Sequence, residues 1–255
     1  MVGFMCIITF HYKQHPTYKL IVVANRDEFY ERPTKALHFW DDEPNVLAGR
    51  DLKALGTWLG MTKEKRFAAL TNFRDLKNER DDRKSRGEIV RNFLTSSVSP
   101  REYLEELHKE SDEYNGFNVL VGSPDELYYY SNIQKEIVEI SPGTHSISNH
   151  LLNTPWPKVK RAKEKLNSYV MNHEELDVEH LFHQLYDREI AHDDELPDTG
   201  VGIELERKLS PIFIQTENYG TRASTVILVN LDNETTFIER TFNSGSLKSE
   251  RKFTF

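Results

Sequence analysis

A chain of 255 residues with 38% hydrophobic and 11% aromatic side chains can fill the core of one large domain or two small ones. Forty-one acidic against 33 basic residues give a formal net charge of −8, which excludes the broad basic field that would hold nucleic acid or an anionic membrane. A single cysteine excludes an internal disulfide framework and an all-cysteine metal cage, and it points to a reducing compartment, so the expected location is the cytoplasm.

From the start, MVGFMCIITF carries neither the charged n-region nor the small-residue cleavage site of a secretory signal. The longest apolar runs, such as Leu20 to Ala24, fall far short of the ~20 residues a membrane helix needs. Asn233-Glu234-Thr235 is therefore read as an accidental glycosylation-type triplet. Cys6 to Phe10, Tyr18 to Ala24, Thr57 to Met61 and Phe67 to Asn72 are short apolar stretches between turn residues and predict strands. Arg86 to Thr95 carries Ile89, Val90, Phe93 and Leu94 on one stripe, and Ser99-Pro100 opens a second helix over Arg101 to Lys109. Phe117 to Gly122, Glu126 to Ser131, Glu136 to Ile140 and His145 to Ser148 predict four more strands. Pro157 to Met171 and Val178 to Asp187 predict helices, Asp193 to Thr199 an exposed loop, and Ala223 to Asn230 and Thr235 to Phe242 final strands. Strands and helices come in blocks, which fits an α+β layered domain with antiparallel sheets over residues 1–255, not a doubly wound fold.

The one cysteine sits at the head of the first strand. With the first two strands joined through Lys13-Gln14-His15-Pro16, position 6 is expected opposite position 24 or 25, beside Asn25-Arg26-Asp27-Glu28. Such a polar run can be a strand leaving the core for solvent, and a lone cysteine can be an inert small hydrophobe. Next to a thiol, however, a guanidinium lowers the pKa, and a carboxylate can hold an amine or orient the arginine. On that reading Cys6 should alkylate faster than a free thiol.

MCIITF, ANRDEFYERP, GTWLGM, AALTNFRD, SISNHLLNTPWPK and YGTRASTVILV together resemble the NRDE, or Transport and Golgi Organization, family, which is named for the tetrad at Asn25 to Glu28. The resemblance runs from Met5 to the last strands in six ordered blocks. That family is similar in turn to N-terminal nucleophile hydrolases of the choloylglycine hydrolase and penicillin V acylase type, which implies a four-layered αββα sandwich. It further implies Met5 as the start, residues 1–5 as a removed leader, and Cys6 as a nucleophile whose own α-amine is the base. Asn72 and Asn149 match asparagines that bind the oxyanion and lie near the substrate, and Arg222 in YGTR matches the late arginine of the acylase site. The acylases space their arginine and aspartate three apart, whereas Arg26 and Asp27 are adjacent; Asn25 and Glu28 keep the spacing with different chemistry. Trp58 is read as core or pocket wall, as is Trp40.

Other chemistries have less support. His180 and His183 share a helix face without a third ligand, the acidic clusters lack the glycine and alternation of a calcium loop, and no phosphate-binding glycine motif occurs. No metal or cofactor is expected. Two functional classes follow. One is a cysteine-dependent hydrolase of linear amides, such as an acylated amine or fatty-acyl conjugate. The other, implied by the resemblance, is a non-catalytic haem or lipid trafficking protein using the same cleft, with any haem held by His, Cys or Tyr without a covalent attachment motif. The expected partner is a small amide or lipid-like ligand.

Overall fold

The computed structural model describes residues 6–255; the expected leader lies outside the described residues. In chain order the elements are strands β1 (Cys6–Tyr12), β2 (Tyr18–Phe29), β3 (Thr34–Phe39), β4 (Val46–Asp51), β5 (Leu59–Thr62) and β6 (Phe67–Asn72), then helices α1 (Gly87–Thr95) and α2 (Pro100–Glu110). Strands β7 (Phe117–Ser123), β8 (Glu126–Ser131), β9 (Glu136–Glu139) and β10 (Gly143–Ile147) precede helices α3 (Pro157–Val170), α4 (Val178–Leu185) and α5 (Ile203–Leu209). Strands β11 (Tyr219–Asn230), β12 (Thr235–Asn243) and β13 (Ser246–Thr254) follow. The α+β class is as expected, with two antiparallel sheets among the described residues.

Contacts divide the chain into two compact units. The first holds residues 6–31, 142–148 and 152–255 and one sheet of order β10-β1-β2-β11-β12-β13. On one face of that sheet, Ile7, Ile21, Val23, Val226 and Leu228 pack against Ala162 and Leu166 of α3 and Leu181, Phe182 and Leu185 of α4. The second unit holds residues 32–141 and 149–151 and a sheet of order β3-β4-β5-β6-β7-β8-β9. Its core joins Ile89, Val90, Phe93 and Leu94 of α1 and Leu104 and Leu107 of α2 to Val119, Val121 and Tyr130 of the sheet. Each unit thus pairs a helix layer with a sheet layer.

Local chemistry accounts for the boundaries. Helix α2 opens on a capping box, in which the Ser99 side chain accepts from the Glu102 N–H and the Glu102 side chain returns to Ser99, with Pro100 in the first turn. Asp177 caps α4 in the same sense by accepting from the Glu179 N–H. Strands β3, β4 and β13 and helix α5 are additions to the sequence reading. Strand β13, SLKSERKFT, is a largely exposed edge strand whose lysines and arginine protect it from pairing with other chains, so it has no apolar signature.

Candidate active site

The hairpin of β1 and β2 sets the site. Its connection spans residues 13–17, turned by Lys13 in the left-handed region (φ 49°), and the His15 Nδ1 accepts from the N–H groups of Thr17 and Tyr18. This loop is longer than the sequence reading allowed. The pairing of β1 with β2 opens at Tyr12 opposite Leu20, two residues into β2, so partner numbers sum to 32 and Cys6 lies opposite Arg26, not opposite position 24 or 25. Strand β2 also continues through the whole tetrad instead of leaving for solvent, because β11 pairs with it on the other side, with Ala223 opposite Arg26.

Alternation then sorts the tetrad between two faces. Cys6 and Arg26 share the face away from the helices, since their neighbours Ile7 and Val23 belong to the helix-side core. Glu28, two residues on from Arg26, accepts a hydrogen bond from its Nη2 at 3.2 Å and another from the Phe29 N–H at 2.8 Å. Arg222 sits in the irregularity between Thr221 and Ala223 and donates from Nη1 to the carbonyls of Phe29 and Tyr30 at 2.8 and 2.9 Å. Burial holds its pKa below the usual arginine value, and the like charge of Arg26 adds to this.

Asn25 faces the other way. It is completely buried; its Nδ2 donates to the carbonyls of Leu185 and Ile212, both at 2.9 Å, and its Oδ1 accepts from Ser224 Oγ at 2.6 Å. These bonds tie β2 and β11 to α4 and the segment before β11, which is a structural role. Asn25→Leu is expected to destabilise the fold by about 2–4 kcal/mol, since two buried carbonyls lose their donor. Urea denaturation of the variant checks this.

Asp27 is 1% exposed. Its Oδ1 accepts from Thr221 Oγ1 at 2.6 Å, and its Oδ2 is buried with no hydrogen-bond partner among the described residues. Burial lifts its pKa from the ordinary 3.8 to about 7, against the pull of the Lys158 charge, the Thr221 hydrogen bond and Arg26. Lys158, 2% exposed in the first turn of α3, escaped the sequence reading. A signal existed: a cation directly after Pro157 opposes the helix dipole and asks for an anionic neighbour.

Cys6 is 8% exposed. Its electrostatics run against the expected activation. Burial and then the Asp27 charge push its pKa up to about 12, and the Asp27 backbone hydrogen bond and the Arg26 charge offset this only in part. Ser148 Oγ donates to the Cys6 carbonyl at 2.8 Å, fixing the backbone of the residue.

In the second unit, Asn72 ends β6 and Asn149 lies beside it, its Nδ2 donating to the Asn72 carbonyl at 2.8 Å. Trp58 is half-buried next to β5, where its carbonyl accepts from the Leu70 N–H at 2.7 Å. The structure thus brings Cys6, Arg26, Asp27, Glu28, Arg222 and Lys158 together in one unit, and Asn72 with Asn149 in the other. Among the described residues no three His, Cys, Asp or Glu side chains are grouped to hold a metal, and no helix is long and apolar enough to cross a membrane. His180 is exposed and stacks on Tyr169 with ring centroids 4.0 Å apart.

Residues 5–244 match the family model described as Transport and Golgi organisation 2. The chain belongs to that family. A Mus musculus Transport and Golgi organization 2 homolog is 37% identical over 256 residues, covering 92% of each chain. The Homo sapiens homolog is 35% identical over 264 residues, covering 95% of each. Among solved structures, a Caenorhabditis elegans N-acylethanolamine-hydrolyzing acid amidase ortholog is a distant likeness, with TM-score 0.43 and 11% identity over 88% of this chain and 92% of that one. In this member of the Transport and Golgi organisation 2 family, Gly220 of the YGTR block has a steric reason. A Cβ there would lie 2.4 Å from Tyr30 Oη and 2.5 Å from the Ile214 carbonyl, so only glycine lets β11 pass close enough to set Thr221 and Arg222 beside the tetrad.

Proposed function

We propose that this protein is a cysteine-dependent hydrolase of linear amide bonds, with Cys6 as nucleophile when its α-amine is free. The observation that carries the reading is the placement of a buried thiol opposite Arg26 and next to the buried carboxyl of Asp27. A thiol whose pKa is about 12 is ionised to only ~10⁻⁵ at pH 7, so it needs a base within reach. A peptide nitrogen cannot serve. The α-amine of a terminal cysteine, with a pKa of about 7.7–8.0, can.

The amine takes the Sγ proton as sulfur attacks the amide carbonyl. The tetrahedral oxyanion collapses, the proton passes to the leaving amine, and a thioester remains on Cys6 for water to hydrolyse. Arg26 favours the thiolate and is steadied by Glu28. Asp27 Oδ2 is suited to receive the α-ammonium, and Arg222, held by two carbonyls, contributes positive charge. The resemblance gives Asn72 the oxyanion. The substrate class is an acylated amine or fatty-acyl conjugate.

The test is intact-mass analysis after incubating a chain that begins at Cys6 with an electrophilic amide analogue. One acyl adduct on Cys6 is expected, none with Cys6→Ala, and acylation slower by about 10²–10³ with Asn72→Ala. No adduct on the chain beginning at Cys6, or an unchanged adduct in Cys6→Ala, would sink the reading.

A further inference from the structure

Asn118 on β7 and Tyr129 on β8 are fully buried polar side chains to which the chemistry above gives no role. The Tyr129 hydroxyl donates to Asn118 Oδ1 at 2.8 Å. Asn118 Nδ2 spends its two hydrogens on Thr71 Oγ1 at 3.2 Å and on the His150 carbonyl at 3.0 Å. Thr71 precedes Asn72 on β6, and His150 follows Asn149. One buried amide therefore holds the neighbour of each candidate asparagine.

Residues 149–151 are tied to the same strand end by further contacts. Asn149 Nδ2 donates to the Asn72 carbonyl and the Arg74 N–H donates to the Asn149 carbonyl, both at 2.8 Å. The His150 ring lies against Phe73, with centroids 5.0 Å apart. These bonds divide the work between the two asparagines. Asn149 is buried and commits an amide hydrogen to Asn72, whereas the Asn72 side chain is half-exposed at the strand end and accepts or donates no hydrogen bond among the described residues.

We infer that Asn118 and Tyr129 are positioning residues: they lock the Asn149–His150 backbone to Thr71 and Asn72, so that Asn149 serves as a clamp and the Asn72 amide is left as the preorganised donor. A network whose members are all satisfied is rigid as well as stable, and a donor that acts on a transient oxyanion gains only from rigidity. The functional half of this inference rests on the hydrolase reading; the structural half does not. An apolar residue of similar volume at 118 would pack the sheet interior at less risk, which makes the buried amide informative.

Two measurements on Tyr129→Phe and Asn118→Leu separate these halves. Tyr129→Phe removes only a hydroxyl, so it decides the matter if Asn118→Leu fails to fold. By side-chain amide NMR, the Asn149 Nδ2 hydrogens are expected to exchange with solvent clearly faster in Tyr129→Phe than in wild type, with circular dichroism unchanged. Acylation of Cys6 in a chain that begins there is expected to slow ~10-fold to 100-fold at unchanged half-saturation, the mark of lost positioning rather than lost binding. Unaltered amide exchange would overturn the inference whatever the kinetics. Faster exchange with an undiminished acylation rate would overturn it too, because Asn72 would not depend on the clamp. If wild type forms no acyl-enzyme, the hydrolase reading fails by itself and the exchange rates still decide whether Asn118 and Tyr129 fix Asn149.

Discussion

A chain that begins at Cys6 is expected to turn over its amide substrate at least ~10³-fold faster than one that retains Met1 to Met5, while the two melt at nearly the same temperature. The effect is expected to be large because burial disfavours the thiolate. With the thiol pushed up to about 12, Arg26 alone does not ionise it, and the Asp27 carboxylate opposes ionisation. His11, the buried imidazole of β1, cannot substitute. It is an odd number of residues from Cys6 on the same strand and so points to the helix side, where its Nδ1 pairs with Thr144 Oγ1 at 2.7 Å. On the proposed mechanism the proton goes to a nitrogen on Cys6 itself. Iodoacetamide offers a second readout on the same pair: slow labelling in the longer chain, faster labelling once the α-amine is exposed. Equal turnover of the two forms would show that some other group takes the proton and would remove the N-terminal-nucleophile mechanism.

Most strands and four helices could be read from the sequence because each carries its own period and end signals, as with the Ser99-Pro100 cap and the stripe of Ile89, Val90, Phe93 and Leu94. Strand β13 could not, since an exposed edge has no buried face to leave a pattern. Within the site, the neighbourhood of Cys6 and the tetrad follows from one hairpin, and its register differs by two from the expected one because β1 pairs with β2 only from Leu20 on, which no local apolar pattern marks. Alternation along β2 turns Asn25 to the helix side, where it donates to the carbonyls of Leu185 and Ile212. Lys158 and Asn118 were out of reach for a different reason. Their partners come from distant parts of the chain, Asp27 in one case and His150 in the other, and only the folded packing brings them together.

Asp27→Asn is expected to stabilise the protein, and by more as the pH rises. In the folded state the carboxyl titrates near 7, against an ordinary value of 3.8, because burial disfavours its charge. Between those values the folded chain binds a proton that the unfolded chain has released, so stability falls as pH rises through this window and the loss is complete above 7. At ~1.4 kcal/mol for each tenfold change, the cost at pH 8 amounts to a few kcal/mol. An asparagine keeps the shape and can still bond Thr221 without the charge. The groups that face Asp27 set the size of the effect: Lys158 from α3, Thr221 from β11, and Arg26 and Glu28 from its own strand. Lys158→Met in the wild-type background should push the Asp27 carboxyl higher still, and Asp27→Asn should be worth more in a chain that has Lys158→Met, since the negative charge then has no buried cation to offset it. His11 adds a slope of opposite sign: burial lowers its pKa below 6.5, so its contribution is whole above that pH and is lost as the solution becomes more acid. Comparing melting temperatures of wild type and Asp27→Asn at each pH cancels the His11 slope, which both chains share. The difference should be small at pH 4 and grow to several degrees at pH 8. A gap that stays constant with pH would mean that Asp27 is ionised throughout, with its charge fully met by Lys158. On the proposed mechanism, the carboxyl beside the one thiol trades stability for a group that receives the α-ammonium of Cys6.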